Sequence, residues 1–174
     1  MPGVPQPVRR AVTFIDTFSE WSGKAFAWLI VPLMGGLTWE VVARYAFDAP
    51  TLWAYDLAYM LYGSLFLLGT GYTLRHGGHI RTDFLYEKLS IRWQGLIDAI
   101  GYLVFFFAPL AFFIWAAWEE GARSWLMGEK ADSAWRPPIY PLKLVIPLSL
   151  ALLFVQGIAE FLKSAYAAVR GERL

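Results

Sequence analysis

The sequence predicts an all-α integral membrane protein: four transmembrane helices, an N-terminal amphipathic helix lying in the interface, and both termini cytoplasmic. Three observations carry that expectation. The 174 residues are 57% hydrophobic and only 17% charged, too apolar for a soluble domain of this length. Four stretches free of charge approach the roughly 20 residues needed to cross a hydrocarbon core. Nine Trp and nine Tyr are present, and these amphipathic rings settle at headgroup level. Trp28, Trp53, Trp93, Trp118, Trp135 and Tyr140 stand near the ends of the apolar stretches. A net charge of +1 and a pI near 8.0 give no reason to expect nucleic acid or a strongly acidic partner. With no Cys, disulfides, thiolate metal sites and a Cys nucleophile are excluded.

A single membrane domain is expected over residues 1–174, with an interfacial helix at about 8–24 and spans at about 25–47, 53–75, 93–118 and 140–163. In the first segment Ala11, Phe14, Ile15, Phe18 and Trp21 recur at helical spacing, while Arg10, Thr13, Asp16 and Glu20 fall elsewhere, the pattern of a helix lying flat on a membrane. It lacks a continuous apolar centre and a small-residue cleavage site, so it is expected to be retained. Ala25 to Trp39 is uncharged and runs on past Glu40 to Ala43; Leu57 to Leu74, Ala99 to Trp118 and Leu144 to Ala159 follow, the last being the shortest. Pro32, Pro109 and Pro147 fall inside three of these spans, where packed neighbours tolerate a kink. A second amphipathic helix is expected from Thr82 to Leu89, and no internal repeat is found.

Orientation follows from Lys and Arg, which are retained on the cytoplasmic side. Arg9, Arg10, Lys24, Arg75, Arg81, Lys88, Arg92, Lys163, Arg170 and Arg173 make ten on one side; Arg44, Arg123, Lys130, Arg136 and Lys143 make five on the other. Both termini are therefore placed inside.

An ionisable group within a span is a functional candidate by default. Glu40 is the clear case, with Arg44 four residues on and one turn away on the same face, the acid N-terminal as the helix dipole favours. Two readings stand: a proton or cation site, or a structural ion pair that also anchors a neighbouring subunit. Asp56 and Asp98 sit about one turn inside the starts of their spans, where a carboxylate complements the helix N-terminus. The two histidines, His76 and His79, share the Gly-broken segment GYTLRHGGHIRTD at 71–83. Metal binding there would have only Asp83 as a further ligand; the other reading makes Gly77 and Gly78 a tight helix exit, with Arg75 and Arg81 at lipid phosphates. No phosphate-binding loop, nucleotide fingerprint, nucleophile elbow or zinc-protease motif is present. The pairs Gly35 with Gly36 and Gly69 with Gly71 permit close helix contact. The residues alone thus describe a four-helix membrane protein without a visible active site, expected as a subunit of a larger assembly and not as an enzyme.

The stretch ARYAFDAPTLWAYDL, residues 43–57, resembles the small membrane subunit of tripartite ATP-independent periplasmic (TRAP) transporters in Arg44, Tyr45, Phe47, Pro50 and Trp53, with Asp56 where an acidic residue, often Glu, is usual. A second block, Gly71, Tyr72, Leu74, Arg75, Gly78, His79, Arg81 and Asp83, resembles the motif that closes the second helix of that family. The segment DSAWRPPIYPLKLVIPLSLALLFVQGIAE, residues 132–160, is similar to a subgroup paired with organic-acid systems. The resemblance implies a scaffold subunit, in a bacterial inner membrane, of a sodium-driven transporter. A periplasmic binding protein would deliver an organic acid, and a large elevator subunit would hold the substrate and sodium sites. No cofactor is expected in this chain. It implies Glu40, Arg44, Tyr45, Phe47, Pro50, Trp53 and Asp56 as an outer interface to subunit or phospholipid, Arg75, His79, Arg81 and Asp83 as an inner one, and Asp48, Arg123, Lys130 and Arg136 as contacts for the binding protein. Two other classes compete: a membrane anchor of a redox complex, disfavoured by the histidine placement, and a small homo-oligomeric channel or exporter with Glu40 on its pathway.

Overall fold

A computed structural model describes residues 6–77, 86 and 89–172. Among these the chain is all-helical and forms no β-strand; its elements are α1 (Gln6–Ala27), α2 (Ile30–Ala46), α3 (Ala54–Leu68), α4 (Thr70–Arg75), α5 (Ile91–Gly101), a π-helical segment (Tyr102–Phe107), α6 (Ala108–Met127) and α7 (Tyr140–Arg170). With their short breaks they make four helical stretches long and apolar enough to cross a membrane: Gln6–Ala46, Ala54–Arg75, Ile91–Met127 and Tyr140–Arg170. His79, Arg81, Asp83 and Gly78, and the expected helix from Thr82 to Leu89 apart from Tyr86 and Leu89, lie outside the described residues.

The stretch that looks shortest in the sequence is the spine of the bundle. Helix α7 runs for 31 residues, and α1, α3, α4, α5, the π segment and α6 all pack against it, while α2 packs on α3. The distribution of side chains is the reverse of a soluble protein's. The largest fully buried side chains are Gln156, Ser124 and Ser149, while Trp28, Phe105, Trp115 and Leu126 stand exposed. Lipid accounts for both halves, because apolar rings need no shelter from acyl chains and small or polar residues let helices approach and bond.

Close approach is made by glycine, though mostly not by the pairs the sequence singles out. A Cβ on Gly95 of α5 would lie 2.4 Å from the Ala168 nitrogen and 2.6 Å from the Ser164 carbonyl oxygen of α7, so the two backbones touch. Gly157 of α7 receives the Phe106 ring, and Gly121 of α6 rests on Leu144 and the Lys143 carbonyl. That carbonyl has no intrahelical partner, because Pro147, four residues on, has no N–H. Of the expected pairs, a Cβ on Gly71 would lie 3.3 Å from the Leu152 carbonyl oxygen, whereas one on Gly35 would have nothing within 4 Å.

The prolines divide in the same way. Only Pro147 lies inside a helix, where it is buried. Pro32 is the third residue of α2, after the break at Trp28 and Leu29, where a missing N–H costs nothing. Pro109 is the second residue of α6 and directly follows the π segment. The wider π turn relieves the clash of the proline ring with the preceding turn, and it turns consecutive rings onto the spine. Phe107 packs on Phe154 and Phe161 with centroids 4.9 and 5.9 Å apart, and Phe106 covers Gly157.

Helix ends follow from local chemistry. Gly77 takes φ +66° after α4, and its N–H bonds the Leu74 carbonyl at 3.1 Å, the helix exit expected of it. Gly128 and Gly171 close α6 and α7 in the same left-handed conformation. Asp98 departs from expectation: α5 begins at Ile91, so it stands two turns in, beyond the reach of the helix N-terminus, and its carboxylate accepts the Tyr86 hydroxyl instead.

Candidate functional site

The charged side chains gather at the two ends of the bundle. At the end formed by the α2–α3 and α6–α7 loops, Glu40 and Arg44 share a face of α2, and the Arg44 Nε donates to Glu40 Oε1 at 2.9 Å. The other carboxylate oxygen accepts the Thr51 backbone N–H at 2.9 Å and the Thr51 hydroxyl as well. Glu40 is thus occupied on both oxygens and ties α2 to the loop before α3. Trp53 closes that loop with its ring against Gly36, while Tyr45, Phe47 and Pro50 are exposed.

Asp56, in the first turn of α3, is buried and accepts the Ser133 hydroxyl at 2.6 Å; the Arg136 backbone N–H donates to the same Ser133 oxygen at 3.1 Å. This joins the two loops. Asp48 and Arg136 both hold positive φ, +50° and +51°, a conformation that is uncommon without glycine. The α6–α7 loop is pinned by a bridge between Lys130 and Pro138 and by Lys143, whose ammonium donates to Glu129 at 2.6 Å and to Glu120 at 2.8 Å. Arg123 pairs with Glu119 at 3.5 Å on the exposed flank, a contact of little energetic weight.

The Lys143 ammonium holds the Glu129 carboxyl below its ordinary value, against partial desolvation. A carboxylate whose folded-state pKa is depressed stabilises above its unfolded value, 4.5, and that contribution is lost as pH falls through the lowered one. Protection of the loop amides of Ala131 and Ile139, bonded to Pro137 and Glu129 carbonyls, should therefore hold above pH 4.5 and be lost only as pH falls below it. Hydrogen exchange, corrected for intrinsic rates, measures this.

At the opposite end a second cluster fastens α1. Asp16 accepts Gln156 Nε2 at 3.0 Å and Lys163 Nζ at 3.0–3.1 Å, and Glu160 accepts the same two donors at 3.2 and 2.8 Å. One turn on, Glu20 binds Lys24 at 2.9 Å, the Arg75 guanidinium, and His76 at 3.5 Å. The His76 Nδ1 bonds the Tyr72 carbonyl at 3.0 Å. Asp16 and Glu20 of α1 thus face the bundle, whereas Arg10 and Thr13 are exposed and Phe14 and Trp21 face outward.

Sequence reasoning brought Glu40 to Arg44 but left out Asp16, Gln156, Glu160 and Lys163 as a group. Their signal was available: Gln156, Glu160 and Lys163 fall at i, i+4 and i+7, one face of α7. Arg75 is found bonded within the chain.

Residues 33–166 match the family model described as "Tripartite ATP-independent periplasmic transporters, DctQ component". The chain belongs to this family. Curated relatives include the sialic acid TRAP transporter small permease protein SiaQ of Vibrio cholerae serotype O1, 30% identical over 61 residues, 35% of each chain. A second is the sialic acid TRAP transporter permease protein SiaT of Haemophilus influenzae, 29% identical over 72 residues, 41% of this chain and 11% of that one. The matches therefore span about a third of the first relative and about a tenth of the second. As a DctQ-family chain with four membrane-crossing stretches, it is a multi-pass protein of the bacterial inner membrane and a transporter component.

Proposed function

We propose that this DctQ-family chain is the fixed, small membrane subunit of a sodium-driven, binding-protein-dependent transporter for organic acids, standing beside a larger permease subunit that moves as an elevator and holds the substrate and sodium sites. One observation carries the reading. Among the described residues, four carboxylates within or beside the spans are spent on fastening helices: Glu40 on Arg44 and Thr51, Asp16 and Glu160 on Lys163, Glu20 on Arg75. A chain built this way serves as a wall against which another subunit moves. The relative from Haemophilus influenzae supports adjacency, since a stretch like this chain makes up only 11% of a polypeptide named a permease.

In this reading both termini are cytoplasmic, as the Lys and Arg count favours. Helix α1 lies in the interface with Phe14 and Trp21 toward lipid and Asp16 and Glu20 toward the bundle. The loops carrying Asp48, Arg123, Lys130 and Arg136 face the periplasm and receive the binding protein. Tyr45, Phe47, Pro50 and Trp53 face the larger subunit or phospholipid at the outer level; His79, Arg81 and Asp83 do so at the inner one. Sodium-driven uptake in reconstituted vesicles should need this chain, the larger permease and the binding protein together; normal uptake without this chain would overturn the reading. Glu40→Gln should leave the uptake rate per assembled complex within about twofold while lowering assembly, because Arg44 keeps only a neutral acceptor. Loss of uptake at full assembly would place Glu40 on an ion pathway instead.

A further inference from the structure

We propose that the exposed Tyr59 and Tyr62 face of α3, with the recess that borders buried Asp56 at its top, is the seat for a membrane-spanning helix of the larger permease subunit, which offers hydroxyl-bonding groups to the tyrosines and a basic side chain to Asp56. The proposal rests on the subunit reading above and names the surface through which it operates.

Tyr55, Tyr59, Tyr62 and Phe66 fall at i, i+4, i+7 and i+11 on α3, one continuous stripe, and all four are exposed. At about 1.5 Å per residue, Tyr59 and Tyr62 stand about 8 and 12 Å along the helix from its start at Ala54. Tyr62 is therefore too deep for the headgroup belt that suits Tyr55. Among the described residues no group hydrogen-bonds the Tyr59 or Tyr62 hydroxyl, and acyl chains offer no partner for one. Exposed Phe105 of the π segment and Phe112 and Phe113 of α6 carry no polar atom and meet acyl chains without loss.

The top of the stripe adds a charge. Asp56 is 7% exposed, and among the described residues its one hydrogen bond, from the Ser133 hydroxyl, engages a single oxygen. No described Lys, Arg or His comes within ion-pairing distance of it, in contrast to Glu40, Glu20, Glu129 and Glu160. It borders an open recess of about 170 Å³ whose rim includes Tyr55, Tyr59, Asp132 and Ser133. A nearly buried carboxylate with no counter-charge of its own chain, opening onto a recess beside unpartnered phenols, is complementary to a cationic side chain on a helix, and apolar lipid tails meet neither demand.

A photo-crosslinking phenylalanine analogue placed at single positions of a tagged copy of this chain, expressed together with the larger permease and purified through the tag, reports what lies against each position. Positions 59 and 62 should give a product with the mass of this chain plus the larger permease, identified by its peptides, and positions 105 and 112 should give none. Asp56→Asn keeps an oxygen for Ser133 but loses the charge; it should cut the permease recovered per copy of this chain at least tenfold, with the chain's own melting unchanged, and Asp56→Glu should restore it. If the permease co-purifies but crosslinks only from 105 or 112, or if 59 and 62 yield lipid, binding protein or a second copy, the docking face is overturned and the subunit reading stands. If no permease co-purifies, both are overturned.

Discussion

Gly95→Ala is expected to cost at least about 3 kcal/mol, the upper end of ordinary overpacking, although the same change in a free helix would stabilise it by up to about 1 kcal/mol. The sign is decided by what the new methyl meets. Its carbon would lie 2.4 Å from the Ala168 nitrogen and 2.6 Å from the Ser164 carbonyl oxygen, and both are backbone atoms of the spine helix that cannot rotate away. Either α5 lifts from α7 along its length or α7 deforms, and α1, α4 and the π segment lean on that same helix. Gly35→Ala is the matched control: nothing lies within 4 Å of its added carbon, so only the favourable propensity remains. Thermal melting of the two variants in detergent should therefore move in opposite directions, Gly95→Ala down by many degrees and Gly35→Ala slightly up. Equal shifts would show that α5 does not rest on α7 through its backbone.

This contrast also marks what the sequence could convey. The four spans were legible because a run without charge is a local property, and so was the left-handed exit at Gly77. Contact between helices is not local. Gly35 and Gly95 look alike in sequence; only the neighbour differs, and nothing near Gly95 announces Ser164 and Ala168. The last stretch looked shortest for a related reason. Lys143 and Glu160 bound its uncharged part, yet Lys143 is neutralised by Glu120 and Glu129, and Glu160 by Lys163. The helix therefore runs from Tyr140 to Arg170 through residues that look like its ends. Of the candidate site, the Glu40–Arg44 pair was readable from i, i+4 spacing; the second partner of Glu40, Thr51, reaches it through a loop whose path no periodicity encodes.

Lys163→Met should detach α1 from the spine and destabilise the chain by about 2–3 kcal/mol, below the range for breaking a fully buried ion pair because these side chains keep about a fifth of their surface exposed. The ammonium sits between Asp16 at 3.0 Å and Glu160 at 2.8 Å, and Gln156, fully buried, donates to both carboxylates. Without Lys163 one amide is left to hold two like charges together, and their repulsion falls on the contact between α1 and α7. Most of the loss is thus the penalty of stranded carboxylates and not the worth of the bond itself. Two outcomes separate these causes. If stranded charge dominates, adding Asp16→Asn and Glu160→Gln to Lys163→Met should recover most of the stability, since neutral amides can keep bonding Gln156. If the ammonium's own bonds dominate, the triple variant should melt no higher than Lys163→Met alone. Protease cleavage near Thr17 in the detergent-solubilised protein reports α1 directly: it should quicken in Lys163→Met and return toward the parent rate in the triple variant. Arg75→Met, at the neighbouring Glu20 pair, should have a smaller effect, because Lys24 and His76 remain to face that carboxylate.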